Sequence, residues 1–205
     1  MKNIKYINKE IYSPLLYSIN EEADFMKIGK KDMTLITGNS FVTNIAICQK
    51  KNFIFNNSPI VVCDNVVDFG NIGSIMRNCY AFGFKNLILI SEEDLIWNHK
   101  VYEASCGCFF NLQIKSMNYQ NFLEFIIINK YNLITTNLDG ENLYNTKLIQ
   151  QNSMIIFGNE TNGVRQEIKD ISNYHIKIPI NFDSINVSVA NGIVLSYLST
   201  LILTT

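Results

Sequence analysis

The chain has 205 residues, of which 47% are hydrophobic and 17% charged, and 17 basic against 18 acidic side chains give a formal net charge of −1. This apolar fraction is sufficient for a packed core and excludes a largely disordered protein. The near-neutral charge disfavours a strongly basic nucleic-acid-binding module, although a basic face can coexist with an acidic one. No apolar run approaches the length of about 20 residues that a membrane helix needs, so no membrane partner is expected.

The first residues carry positive charge with no apolar stretch behind them, so we expect no secretory signal and a cytoplasmic protein. The cysteines are odd in number, and most lie in apolar stretches: Cys48, Cys63, Cys79, Cys106 and Cys108. We interpret them as reduced cytosolic thiols that pack like small hydrophobic side chains. The chain has only two histidines and no second pair of cysteines beside Cys106 and Cys108, so we expect no metal.

Residues 1–57 are predicted to form a short N-terminal extension that packs on the main domain, because a segment of this length cannot bury a full core alone. Ser13-Pro14 indicates the opening of a short helix, and residues 30–32 indicate a charged break. A strand is expected at 34–37 and a helix at 40–50.

The same extension carries aromatic and basic side chains that could stack on RNA bases and contact phosphates. These side chains are Tyr6, Tyr12, Tyr17, Phe25, Lys27, Lys30 and Lys31. The alternative, which we favour, is a packed aromatic extension with a solvated basic turn.

From residue 58 onward, short apolar runs alternate with segments of helical periodicity. Strands are predicted at 60–63, 87–90, 132–136, 154–157 and 174–178. Helices are predicted at 72–83, around 122–129, and at 186–203, where the apolar stripe is expected to be mostly core. Nearly all-apolar strands that alternate with helices are typical of a parallel sheet covered on both faces. The predicted fold class is therefore α/β, with 58–205 as its main domain.

Three polar turns that contain glycine or proline follow strands of this sheet, at residues 68–77, 157–163 and 178–188. Ligands of open parallel sheets bind at the carboxyl ends of the strands. Taken singly, the polar residues of these turns have simpler interpretations: Asn71, Ser184 and Asn186 as helix caps, Glu160 as an acid near a helix N-terminus, and Arg77 as a solvated charge. Residues 70–73 only distantly match a dinucleotide-binding turn, which leaves a nicotinamide-dependent enzyme as a remote alternative.

Taken together, the three turns resemble the conserved motifs of the SpoU/TrmH family of RNA ribose 2'-O-methyltransferases. Residues 71–83 (NIGSIMRNCYAFG) resemble motif 1, and residues 157–164 (FGNETNGV) resemble motif 2. Residues 178–180 (IPI) with 184–190 (SINVSVA) resemble motif 3. Residues 103–108 stand where the family carries a small-residue strand. The resemblance covers about 58–205.

This resemblance implies a SPOUT-type parallel α/β domain with a C-terminal trefoil knot, a homodimer joined through the knotted domain, and S-adenosylmethionine as cofactor. The loops of the knot would hold the cofactor largely through backbone groups. By motif position the cofactor-binding residues are Thr136, Asn137, Leu138, Gly158, Asn159, Glu160, Ile178, Ile180, Ile185, Asn186 and Val187. Glycine at 158 would let the backbone approach a ligand, and the isoleucines could enclose an adenine.

The family's functional polar residues map onto Arg77, Asn71, Glu160, Ser184 and Asn186. The implied reaction is in-line transfer of a methyl group from sulfonium to a ribose 2'-hydroxyl of tRNA or rRNA. We expect Arg77 to orient the ribose-phosphate and to stabilise alkoxide charge, with either a phosphate oxygen or Arg77 itself as proton acceptor. The alternative function is a SPOUT-fold RNA-binding or assembly protein that has lost catalysis.

Overall fold

The structure is a computed structural model that describes residues 12–18, 26–50, 53–55, 58–146 and 152–203. Contacts between backbone positions divide the chain into two compact units, residues 1–53 and 54–205. The division falls slightly before the boundary that the sequence predicts. No helix among the described residues is long and apolar enough to cross a membrane.

The described residues of the first unit form a three-stranded sheet and one helix. Its elements are β1 (Tyr12–Ser18), β2 (Met26–Lys27), α1 (Lys30–Thr37) and β3 (Asn44–Lys50). The strand order is β2-β1-β3, in which β1 runs parallel to β2 and antiparallel to β3. Met33 of α1 is buried.

The predicted elements of this unit are wrong. Strands β1 and β3 replace the helices expected at 13–14 and 40–50, because all seven residues of β1 pair with β3 and this pairing overrides local helical signals. Helix α1 spans both the expected break and the expected strand. Its threonines fit a helix because Thr34 Oγ1 donates to the Lys30 carbonyl at 2.9 Å and Thr37 Oγ1 to the Met33 carbonyl at 2.8 Å.

The structure tests few of the aromatic and basic side chains of the extension. Tyr6 and Phe25 lie outside the described residues. Tyr12 and Tyr17 belong to β1, while Lys30 and Lys31 are exposed at the start of α1. A role for this unit in RNA contact stays a prediction.

The second unit is built on a six-stranded sheet of order β6-β5-β4-β8-β7-β9, in which every neighbouring pair is parallel. The strands are β4 (Ile60–Asp64), β5 (Asn86–Ile90), β6 (Gln113–Met117), β7 (Asn132–Asn142), β8 (Ser153–Gly158) and β9 (Tyr174–Lys177). The helices are α2 (Phe69–Ala81), α3 (His99–Ser105), α4 (Tyr119–Asn129), α5 (Gln166–Asp170) and α6 (Val187–Leu203).

The core of this unit lies along the central strands, since every residue of β4, β5 and β8 is buried. On α6 half of the predicted stripe is core, since Val187, Val194 and Leu198 are buried, while Ala190, Tyr197 and Leu201 are partly exposed. The predicted α/β class with a parallel sheet is confirmed. Strand β6 and helices α3 and α5 were not predicted.

The prediction of a small-residue strand at 103–108 is wrong. Residues 103–105 end helix α3, and a short 3₁₀ turn, Cys108–Asn111, follows. Cys106 and Gly107 have φ values of 50° and 84°, and two successive residues in the left-handed region do not fit an extended strand. Strand β6 begins only at Gln113.

Strand β7 is longer than predicted and irregular where it passes β9. Thr136 and Glu141 both pair with Ile176, and the residues between them bulge out of the ladder. Gly140 lies so close to the backbone of His175 and Ile176 that a Cβ would stand 2.6 Å from the Ile176 carbonyl carbon. The trefoil knot itself stays a prediction.

Helix α6 is fastened to the segment that follows β7. The Tyr197 hydroxyl lies 3.0 Å from the Tyr144 carbonyl oxygen and 3.2 Å from that of Thr146, and it donates its hydrogen to this pair. We expect Tyr197→Phe to lower the free energy of unfolding by about 1 kcal/mol. Urea unfolding measures the loss, with Tyr174→Phe on β9 as the exposed control. Equal stability of the two variants would contradict the expectation.

Candidate active site

A cavity of about 400 Å³ opens where β8 and β9 end, beside the irregular middle of β7, and it is the candidate binding site. These strands are neighbours in a parallel sheet, so their carboxyl ends meet at one edge. The lining comes from residues 136–138, 157–164, 169, 176–178, 180, 183–185, 187 and 190. All the predicted cofactor-binding residues except Asn186 lie in this wall.

The wall combines apolar side chains with a few charged ones. Leu138, Ile178, Ile180 and Ile185 supply apolar surface, and Glu160, Lys169, Lys177 and Asp183 supply charge. Sequence reasoning missed the last three. Lys177 and Asp183 adjoin predicted positions and could have been found from them. Lys169 gave no signal because the short helix α5 was not recognised.

The loop after β8 folds back tightly on the end of its own strand. A Cβ on Gly158 would overlap the backbone of Gly163 and Val164, so only glycine fits. The Asn159 carbonyl accepts from the Gly163 N–H at 2.8 Å, and its side-chain oxygen accepts from the Thr161 N–H at 2.9 Å. Gly163 completes the turn with a φ of 67°. This loop places Glu160 at the cavity.

Three of the five predicted catalytic residues are joined by hydrogen bonds into a chain that we call the amide relay: Glu160, Asn71 and Asn186. Asn71 Nδ2 donates to Glu160 Oε1, and Asn186 Nδ2 donates to Asn71 Oδ1 at 3.0 Å. The relay therefore connects the loop after β8 with the N-terminal ends of α2 and α6.

The direction of the relay follows from the chemistry of its ends. An ionised carboxylate can only accept, so Asn71 must present its amide nitrogen to Glu160 and its oxygen to Asn186. Asn186 must then present its nitrogen to Asn71, which leaves its oxygen for the start of α6. There it accepts from the Ser188 N–H at 2.9 Å and the Val189 N–H at 3.3 Å. The Glu160 charge thus orients both asparagines.

The interpretation of Asn71 as a helix cap is wrong, and that of Asn186 is confirmed. Asn71 is not the cap of α2, because Asp68 Oδ1 accepts from the Asn71 N–H at 2.7 Å and fills that role. The Asn71 side chain is consequently available to the relay. Asn186 does cap α6, and it serves the relay at the same time because an amide has a donor and an acceptor end.

The other two predicted catalytic residues stand apart from the relay. Ser184 is exposed and lines the cavity. Arg77 is exposed on α2 and, within the described part of the chain, makes no hydrogen bond or ion pair. Burial raises the pKa of the Cys108 thiol, and the positive charge of the Arg77 guanidinium lowers it by a smaller amount. The donors of Arg77 are therefore free for a ligand.

The thiols of this unit are expected to differ sharply in reactivity. Burial, with the charges of Asp64 and Glu160 adding to it, raises the pKa of Cys63 to about 12, and burial raises that of Cys79 well above its usual value. At pH 8 the thiolate fraction of Cys63 is then about one part in 10⁴. Cys106 is exposed. Peptide mapping after iodoacetamide treatment should find Cys106 alkylated and Cys63 and Cys79 spared until urea is added. Rapid alkylation of Cys63 in the folded chain would contradict this.

Comparisons with known proteins point to one family. The model of the SpoU rRNA Methylase family matches residues 58–196. An uncharacterized tRNA/rRNA methyltransferase of Archaeoglobus fulgidus is 30% identical over 152 residues, which is 73% of this chain and 67% of the relative. A 23S rRNA adenosine 2'-O-methyltransferase of Streptomyces azureus is 31% identical over 66% of this chain and 52% of its own length. The chain thus spans about half to two thirds of these relatives.

A solved structure has a similar fold. It is the SpoU methyltransferase AviRb from Streptomyces viridochromogenes in complex with the cofactor AdoMet, with a TM-score of 0.81. The match covers 100% of this chain and 89% of AviRb at 17% sequence identity.

Proposed function

Since the chain belongs to the SpoU rRNA methylase family, we propose that it transfers a methyl group from S-adenosylmethionine to a ribose 2'-hydroxyl of tRNA or rRNA. The observation that carries this proposal is the amide relay at the rim of the cavity, which joins polar residues from all three sequence motifs. The relatives support it by their names, which include tRNA/rRNA and 23S rRNA 2'-O-methyltransferases.

The cavity fits the proposed cofactor in size and chemistry. Its volume of about 400 Å³ lies in the usual range of small-molecule sites. Ile178, Ile180, Ile185 and Leu138 offer apolar surface for an adenine, and the close backbone at Gly158 offers polar groups at short range. The carboxylates of Glu160 and Asp183 suit the positive charges of an amino group and a sulfonium. When bound, S-adenosylmethionine supplies an electrophilic methyl group on sulfur.

The residues of the chain would prepare the ribose for attack on that methyl group. The 2'-hydroxyl oxygen would gain the methyl group as the methyl–sulfur bond breaks and S-adenosylhomocysteine leaves, and it would lose its proton. A guanidinium keeps its charge, so Arg77 serves as donor to the RNA phosphate and the developing alkoxide, and a phosphate oxygen is the better proton acceptor. The amide relay holds Glu160 at the cavity wall, and Ser184 adds a hydroxyl there.

We further propose that the protein is a homodimer in the cytoplasm. Val67 and Val189 are half exposed beside the helix ends that the relay joins, and a second copy would cover them. The described cysteines are all free thiols, which suits a reducing compartment with tRNA and rRNA. Sedimentation equilibrium tests the dimer, since a single species of monomer mass at micromolar concentration would contradict it.

The reaction is tested by incubating the protein with methyl-labelled S-adenosylmethionine and total RNA from cells that lack the gene. Digestion to nucleosides should release a labelled 2'-O-methylnucleoside, and the size of the labelled RNA separates tRNA from rRNA. Cofactor binding without label in RNA would favour the alternative, an RNA-binding or assembly protein that has lost catalysis. Label on a base would contradict transfer to ribose.

A further inference from the structure

Both ends of the loop after β8 are fastened to the carboxyl end of β4. At the start of the loop, Asn159 Nδ2 donates to the Asn65 carbonyl oxygen at 3.0 Å. At its end, the Arg165 N–H donates to Asp64 Oδ2 at 2.9 Å. Gly158, which precedes the loop, pairs in register with Asp64 across the sheet. Every one of these attachments lies within Asp64-Asn65.

The attachment at the end of the loop is a largely buried ion pair. Arg165 Nε and Nη2 each lie 2.7 Å from Asp64 Oδ1, and the side chains of Asp64 and Arg165 are 2% and 30% exposed. The guanidinium also lies 4.4 Å from the centre of the Tyr119 ring at the start of α4. One oxygen of the Asp64 carboxylate accepts from the guanidinium and the other accepts from the backbone N–H of Arg165. Both oxygens therefore have hydrogen-bond partners, as a buried charge requires.

We infer that Asp64 and Arg165 are positioning residues for the candidate site, because they hold the loop that presents Glu160 to the cavity and to Asn71. Neither residue lines the cavity or joins the amide relay. Five successive residues between the two attachments, Glu160–Val164, do line it. The inference rests on the proposed function, since it assigns these residues a role in cofactor affinity through the loop.

An ion pair with a purely structural role would affect stability alone, whereas a positioning pair would also affect cofactor affinity. A double substitution separates these two roles. Arg165→Met by itself leaves the Asp64 charge buried without its partner, which is strongly destabilising. Adding Asp64→Asn removes that charge and keeps an oxygen for the backbone N–H of position 165. Removing both members of a buried pair is often close to neutral for stability. The double variant D64N/R165M should therefore regain stability but lack the restraint on the loop.

The test measures thermal stability and the Kd for S-adenosylhomocysteine by calorimetry in wild type, R165M and D64N/R165M. We expect R165M to melt lower and to bind more weakly, and D64N/R165M to recover most of the melting temperature while its Kd stays raised about tenfold or more. Leu87→Ala in β5 is the matched control, because it opens a cavity in the core away from the site and should lower the melting temperature at unchanged Kd. A Kd that recovers together with the melting temperature would overturn the inference.

Hydrogen exchange of the unliganded proteins tests the restraint on the loop without any cofactor, so its result does not depend on the proposed function. Amides of residues 158–165 should exchange faster in D64N/R165M than in wild type, while those of β5 stay equally protected. If wild type fails to bind S-adenosylhomocysteine, the proposed function is wrong, and the exchange rates alone decide the inference. Equal exchange in the loop of both proteins would then overturn it.

Discussion

Substituting Arg77 with alanine is expected to slow methyl transfer to RNA about 100- to 1000-fold while leaving the Kd for S-adenosylmethionine unchanged. Removing one preorganised donor to developing negative charge has a cost of this order. Arg77 has no intramolecular hydrogen bond or ion pair among the described residues, so its replacement breaks no polar contact within them. The measurement is single-turnover transfer of labelled methyl at saturating cofactor, together with calorimetric binding of cofactor.

Two further variants identify the cause of the loss. Lys85→Ala removes an exposed positive charge from the segment before β5 and should leave the transfer rate nearly unchanged. Arg77→Lys keeps the charge but not the planar fork of donors, and we expect a rate between those of wild type and R77A. Undiminished transfer by R77A would remove Arg77 from the catalytic residues.

Gly158→Ala is expected to raise the Kd for S-adenosylmethionine about 100-fold or to prevent folding altogether. The new methyl group would overlap the backbone of Gly163 and Val164, which cannot rotate away as a side chain can. Overpacking of this kind costs on the order of 3 kcal/mol. A loop that opens to relieve the overlap would have to close again on binding, and about 1.4 kcal/mol of such a cost corresponds to a tenfold change in Kd. Calorimetry with S-adenosylhomocysteine, after thermal melting has shown whether the variant folds, measures the effect.

A second glycine serves as the control for general destabilisation. Gly83 follows α2 with a φ of 81°, and a Cβ there would meet nothing within 4 Å. Gly83→Ala should therefore cost about 1–2 kcal/mol of stability for its left-handed backbone and leave the Kd unchanged. A folded G158A protein that binds with the affinity of wild type would show that the tight turn is not needed for the site.

The parts of the fold that could be predicted are those in which a local pattern coincides with burial. The run Ile60–Cys63 is apolar because β4 is covered on both faces, and the spacing of Ile72, Ile75 and Cys79 matches the buried side of α2. The polar turns could be located as well, since they follow such strands and contain glycine or proline. The predicted cofactor loops converge on one cavity because parallel strands bring their carboxyl ends together.

The parts that could not be predicted depend on partners that are distant in the sequence. Strand β3 is a strand because of its pairing with β1, and no pattern within 40–50 indicates that pairing. Asp64 looks like an ordinary turn residue until Arg165 is placed beside it. The amide relay could not be predicted either, because an asparagine such as Asn71 has the same sequence signature whether it caps a helix or forms a hydrogen bond with Glu160.

The strand order has a consequence for the chain during its synthesis. Strand β4 can pair with β5 once residue 90 has been made, but its other neighbour, β8, is complete only at residue 158. At about 5–20 residues per second, one edge of this strand, apolar from Ile60 to Cys63, waits roughly 3 to 14 seconds for its partner. Nascent chains of intermediate length should consequently be the ones that chaperones bind and that aggregate most readily when translation slows.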